Sequence, residues 1–86
     1  MRLHPNHHRA QRARLLAALK AAGHRGITTI EARTVLDIMH PSGRIKELRQ
    51  AGYQILTDKS WEATALARHY VARYILISEE RGHGKP

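Results

Sequence analysis

Within the stretch MHPSGRIKELRQAGYQI, residues 39–55, Ser42, Gly43, Lys46 and Gln50 carry groups suited to recognition. Lys46 offers a cation for a phosphate or a guanine edge, and Gln50 offers the paired donor and acceptor that match adenine. Gly43 lets a backbone approach a ligand closely, and Ser42 places a hydroxyl near a helix start, where free amides favour phosphate. These groups bind; they do not break bonds. Arg44 and Arg49 are candidates in the same stretch, each with a second role open to it. Arg44 stands three residues before Glu47, which suits an ion pair along a helix. Arg49 can meet DNA or brace the strand that follows. Glu47 would repel phosphate unless a neighbouring cation neutralises it or it accepts from cytosine.

Chemistry of other kinds has little to work with. No pair of carboxylates, no Ser/His/Asp set and no phosphate-cradling glycine loop stands at a credible spacing, so no enzyme and no cofactor is expected. Cysteine is absent, which excludes a disulfide framework, a thiolate zinc site and a cysteine nucleophile, and fits a reducing cytosol. His4, His7 and His8 crowd the N-terminus beside Arg2 and Arg9, with no carboxylate or thiolate nearby. A solvated arm that touches phosphate suits them better than a metal site.

Charge narrows the partner. Fifteen Lys and Arg against seven Asp and Glu give a formal net charge of +8. Arg2, Arg9, Arg12, Arg14, Lys20 and Arg25 all precede the first acid, Glu31. Such an imbalance on one small domain favours a polyanion, nucleic acid before any other, over a basic surface that only confers solubility. A membrane is not expected: no apolar run approaches the ~20 residues that span a bilayer. The basic residues also lack an opposing face of bulky apolar groups. The N-terminal segment does not read as a signal peptide, because Lys20 interrupts its apolar part and no cleavage site follows.

The elements that must position these groups can be read in order. The chain has 86 residues, room for one small domain, and 42% hydrophobic content with no Phe, so Leu, Ile, Val and Ala build the core. Residues 1–8 form a basic, His-rich arm, 9–78 the domain, and 79–86 a polar tail. A first helix is expected over 9–22, where Ala13, Leu16, Leu19 and Lys20 share one face, Leu15 and Ala22 flank it and Gly23 caps the end. Gly26 and Ile27 suit a short extended lead-in, and Thr28 and Glu31 then form a Thr-x-x-Glu capping box for a second helix over 29–36 that buries Ala32, Val35 and Leu36. Pro41 suits the first position of a third helix that turns Ile45 and Leu48 inward. At ~100° per residue, Gly43, Lys46, Glu47 and Gln50 then face away, with Ser42, Arg44 and Arg49 on the flanks.

Two extended segments follow, YQILT and HYVARYILI, rich in β-branched and aromatic residues. The span 58–69 between them reads as a wing carrying Lys59, Trp61, Arg68 and His69, with EATALA suited to a helical turn. Lys59 and Arg68 on this wing, with Arg9 and Arg12 on the first helix, suit phosphates. Trp61 is either a stacking group or the lid of the core, and the core role is favoured because small domains need every large side chain. In the last strand Tyr70, Ala72, Tyr74 and Leu76 face one way, Val71, Ile75 and Ile77 the other. The second set implies an exposed apolar face suited to a homodimer or to the first helix. Three helices followed by a β-hairpin, mainly α with a small antiparallel sheet, describe a winged helix-turn-helix.

ITTIEARTVLDIMHPSGRIKELRQAGYQI, followed by VARYIL, resembles the small winged helix-turn-helix domains common in phage and prophage genomes. The resemblance rests on Ile27, Thr28, Glu31, Ala32, Arg44, Ile45, Glu47, Leu48, Arg49, Gly52, Tyr53, Ile55, Ala72, Arg73 and Tyr74, over residues 11–77. It implies a winged-helix fold and binding to double-stranded DNA; together with the +8 charge and the order of elements, the expectation is a regulator that occupies an operator in the cytosol or nucleoid of a bacterial host. The rival expectation is a winged helix that binds a host protein, as an anti-repressor or anti-defence inhibitor, through the apolar strand face and Trp61.

Overall fold

A computed structural model of the chain describes residues 7–78; the expected tail and all but the end of the expected arm lie outside them. Helix α1 runs His7–Ala22, and a single 3-10 turn, Gly23–Arg25, follows it. Strand β1, Ile27–Thr28, leads into α2, Thr29–Thr34, and then α3, Pro41–Gln50. Strands β2, Gln54–Ala63, and β3, Arg68–Ser78, complete the chain. The three strands form one antiparallel sheet in the order β1-β3-β2. Helix, strand, helix, helix and hairpin match the order expected from the sequence.

The core lies between the three helices and one face of the sheet: Leu15 and Leu19 of α1, Ala32 of α2, Ile45 and Leu48 of α3, and Ile27, Ile55 and Tyr74 of the sheet. Ala72 and Leu76 pack against it on the same side as Tyr74, so β3 divides as its alternation implies. On α1 the expected face holds at Leu19, which is buried, and at Leu16, which packs partly against the core, but is off by part of a turn elsewhere. Ala13 and Lys20 are exposed, and the buried row is Gln11, Leu15 and Leu19, at i, i+4 and i+8. A glutamine in the buried row obscures the apolar pattern. α1 also begins at His7, inside the span read as arm.

Helix α2 starts where the capping box places it: the Thr28 hydroxyl accepts from the Glu31 amide at 3.0 Å, and the Glu31 carboxylate accepts from the Thr28 amide at 2.9 Å. It ends two residues short of the expected end. Val35 is 75% exposed instead of buried. Asp37 takes a left-handed conformation (φ 58°), and the Ile38 amide returns to the Ala32 carbonyl at 2.9 Å. That turn drops Ile38 into the core in place of Val35. Arginines close the exposed carbonyls of the turn: Arg14 donates to Leu36 O at 2.8 Å and Arg33 to Met39 O at 3.1 Å.

The hairpin is longer, and its loop shorter, than the sequence suggests. β2 and β3 pair from Gln54↔Ser78 out to Ala63↔Arg68, so most of the span read as a wing loop is strand. The EATALA segment forms no helical turn; Glu62 and Ala63 belong to β2, and only residues 64–67 turn the chain. The Thr64 hydroxyl and amide both close on Ala67 O, at 3.0 and 2.7 Å. β-Propensity in SWEA and RHY is modest, and cross-strand pairing outweighs it.

Candidate nucleic-acid interface

The α3 helix is anchored by a polar clamp. Arg44 is buried, 7% exposed, and grips Glu47 with two parallel bonds of 2.9 and 3.0 Å. It also donates to the buried Gln11 of α1 at 3.2 Å, while Arg12 of α1 donates to the same Glu47 at 3.0 Å. Arg44 is therefore withdrawn from the set of groups that can touch a ligand; its guanidinium ties α3 to α1. Arg12, expected on phosphates, is held by Glu47 as well. The clamp also removes the objection to an acid on α3, because two guanidinium groups neutralise it. Among the functional positions, Gln11 is the one that sequence reasoning passes over. Its signal is present, since it lies four residues before Leu15 and eight before Leu19.

Burial alone would push the Glu47 carboxyl up, but hydrogen bonds from Arg12 and Arg44 and their charges outweigh it and hold it below the usual range. A lowered folded value stabilises the fold at neutral pH, and that contribution is lost as pH falls through it. Melting temperature is therefore expected to drop on acidification below about pH 4. The drop should be visibly smaller in Glu47→Gln, as followed by circular dichroism melts.

Arg49 braces the junction of α3 and β2. Its guanidinium donates to Ile55 O at 3.0 and 2.6 Å and to the Thr57 hydroxyl at 2.7 Å. Ser42, Lys46 and Gln50 remain exposed and have no hydrogen-bond partner among the described residues, and Gly43 is half-buried on the same helix. No atom lies within 4 Å of where a Gly43 side chain would begin, so the domain's own packing gives no reason for glycine there. Ahead of them, the N-cap His40 makes no side-chain cap and Pro41 occupies the first turn.

Other cations divide similarly. Arg25 pairs with Glu31 at 3.0 Å, and Arg73 bonds Glu62 and reaches the Arg25 carbonyl at 2.6 Å. Arg9, Lys46, Lys59 and Arg68 have no ion pair among the described residues. Where an arginine bonds a carbonyl, as Arg14, Arg33 and Arg49 do, its charge survives and still adds to the field. A cleft of about 320 Å³ opens between the start of α3 and the root of the hairpin, lined by Thr29, Arg33, Ser42, Lys59 and Tyr70 among others. Among the described residues no group of three His, Asp or Glu is placed to hold a metal, and His4 of the N-terminal cluster lies outside them. His7 sits in α1, bonded to Gln11 at 2.9 Å.

Residues 10–79 match the model of a family described as the winged helix-turn-helix domain. The chain belongs to this family. No curated protein and no solved structure matches it. In a winged helix-turn-helix domain, α2 and α3 form the helix pair whose second member enters the major groove, and the β2–β3 hairpin is the wing. Membership suggests DNA as the partner. No helix among the described residues is long and apolar enough to cross a membrane.

Proposed function

We propose that this domain binds double-stranded DNA sequence-specifically, with α3 in the major groove, and acts as a phage or prophage transcriptional regulator by occupying an operator. The observation that carries the reading is the division of polar groups on α3. Arg44, Glu47 and Arg49 are spent on the fold, whereas Ser42, Lys46 and Gln50 point outward unpaired among the described residues. Lys46 and Gln50 then meet base edges, and Ser42 and the uncapped start of α3 meet phosphate. Lys59 and Arg68 on the wing and Arg9 on α1 set position along the backbone. Binding without catalysis, in the cytosol of a bacterial host, completes the reading.

Affinity for duplex DNA measured by anisotropy over a salt series tests it. With Lys46, Lys59, Arg68 and Arg9 on phosphates or in their field, log K should fall against log salt with a slope of about −3 to −4. Lys59→Ala should reduce the slope by about 1. Affinity indifferent to salt would sink phosphate binding altogether.

A protein partner is favoured by a separate observation. On the sheet face away from the helices, Leu56 and Ile77 are exposed, beside half-buried Val71 and Ile75. This surface suits a second copy of the chain, which would present two α3 helices to a two-fold operator, or a host protein that the domain inhibits. Sedimentation with Leu56→Lys decides the first: a dimer that persists unchanged in the variant removes this face from the contact.

A further inference from the structure

The far half of the hairpin carries large side chains that lie outside the core. Ile55 and Tyr74 close the core, but six residues along β2, about 20 Å further out, Trp61 stands directly opposite Tyr70. Trp61 is 59% and Tyr70 58% exposed, so neither lids the core. This corrects the favoured role of Trp61. Their ring centroids are 5.0 Å apart with planes inclined by 36°. Arg68 lies over the Trp61 ring at 5.3 Å and the Lys59 ammonium over the Tyr70 ring at 5.9 Å. Cation, ring, ring, cation thus form one continuous ladder on the helix-facing side of the wing, and Lys59 and Tyr70 continue it into the cleft beside Ser42 and Arg33.

The opposite face of the hairpin holds the strands together by other means. Glu62 accepts from Ser60 at 2.7 Å and from Arg73 across the pair, and Arg73 also bonds Ser60. The aromatic ladder is therefore not the sole fastening of the hairpin. Two large rings left in water, locked by stacking and flanked by positive charge, match the chemistry of a strand of unpaired nucleotides. Its bases stack on aromatic faces and guanidinium planes while its phosphates meet lysine and arginine. The ladder spans about 13 Å, enough for about three stacked nucleotides. Bases inside a duplex cannot use it, because both of their π-faces are already stacked.

We propose that the Lys59, Tyr70, Trp61 and Arg68 face of the wing binds unpaired nucleotides of a DNA strand leaving the duplex held by α3, so that the domain prefers duplex ends or openings with a single-stranded extension. The junction part rests on the duplex reading above; the stacking part does not. Trp61 is the sole tryptophan of the chain, so its emission reports on the site directly.

The test compares one fixed duplex, blunt or with a short single-stranded tail, and the free single strand, by anisotropy and Trp61 emission at low salt. The tailed duplex should bind about tenfold tighter than the blunt one and quench Trp61. Trp61→Ala should bring the tailed duplex down to the blunt affinity, and so should Trp61→Leu, which keeps apolar bulk over Tyr70 without a π-face. Trp61→Phe should keep most of the preference. Equal affinity for tailed and blunt duplex without quenching overturns the proposal, as does a tail preference that survives in Trp61→Leu. Quenching by tailed and single-stranded DNA with no binding of blunt duplex supports the stacking site and instead brings down the α3 reading.

Discussion

The double substitution Lys46→Ala/Gln50→Ala is expected to weaken binding to a preferred duplex by about 100-fold while leaving the melting temperature within a degree or two. The first half follows from what the two side chains can do in a groove. Each well-placed contact to a base edge is worth roughly 1–3 kcal/mol, and together they approach the difference between specific and non-specific binding. The second half follows from their surroundings. Both are exposed and bond no other described residue, so removing them leaves nothing buried without a partner. Arg44→Ala should show the reverse pattern. It takes from the buried Gln11 and from Glu47 one of the two partners each has, at a cost of about 2 kcal/mol, and should lower the melting temperature by about 10 °C. Duplexes selected from a random pool supply the ligand for anisotropy, and circular dichroism supplies the melts. Full affinity in the double variant would remove α3 from the groove.

That contrast also marks what a sequence can carry. The helix order, the Thr28 capping box, Pro41 at the head of α3 and the inward turn of Ile45 and Leu48 are local signals, readable because each depends on residues three or four apart. The Arg44–Glu47 pair was open to the same reading, but not its burial, because that depends on Gln11 and Arg12 more than thirty positions away. The core face of α1 is only partly legible for the same reason. Gln11 looks like a surface residue until the guanidinium it satisfies is known. At the end of α2, the left-handed Asp37 exchanges Val35 for Ile38 in the core, and no periodicity announces a change of that kind.

The wing shows the opposite limit. A small domain with one tryptophan invites the expectation that the tryptophan is buried, yet pairing Trp61 with Tyr70 outside the core leaves both exposed. The alternation of β3 was legible; the length of β2 was not, since the polar run from Asp58 to Glu62 has little strand preference of its own. What extends it is β3 alongside, together with the bonds among Ser60, Glu62 and Arg73. Basic composition is likewise a coarse guide. Much of the +8 comes from arginines that also fasten turns, helices and strands, whereas among the described residues the side chains of Arg9, Lys46, Lys59 and Arg68 make neither an ion pair nor a hydrogen bond to the fold.

The largest effect on stability should come from a single methyl group. Gly26, between the 3-10 turn and β1, has φ 68° and ψ −171°, a conformation essentially reserved for glycine. A side-chain carbon there would stand 2.5 Å from the Tyr74 carbonyl oxygen and 2.8 Å from Cγ1 of Ile75. The oxygen belongs to the backbone of β3, to which β1 is paired through Ile27↔Tyr74, so it cannot withdraw without breaking the sheet. Strain and overpacking together put the cost of Gly26→Ala at about 4 kcal/mol, close to the whole stability of many small domains. The melting temperature should fall by about 20 °C, or the cooperative transition should vanish. Gly43→Ala is the matched comparison, because nothing lies within 4 Å of the added carbon and the position is helical. It should raise stability by up to about 1 kcal/mol. If the backbone of α3 lies against DNA at that point, the same methyl should cost affinity while the fold gains. A Gly43→Ala variant that melts higher and binds duplex as well as the wild type would show that DNA does not approach the helix there.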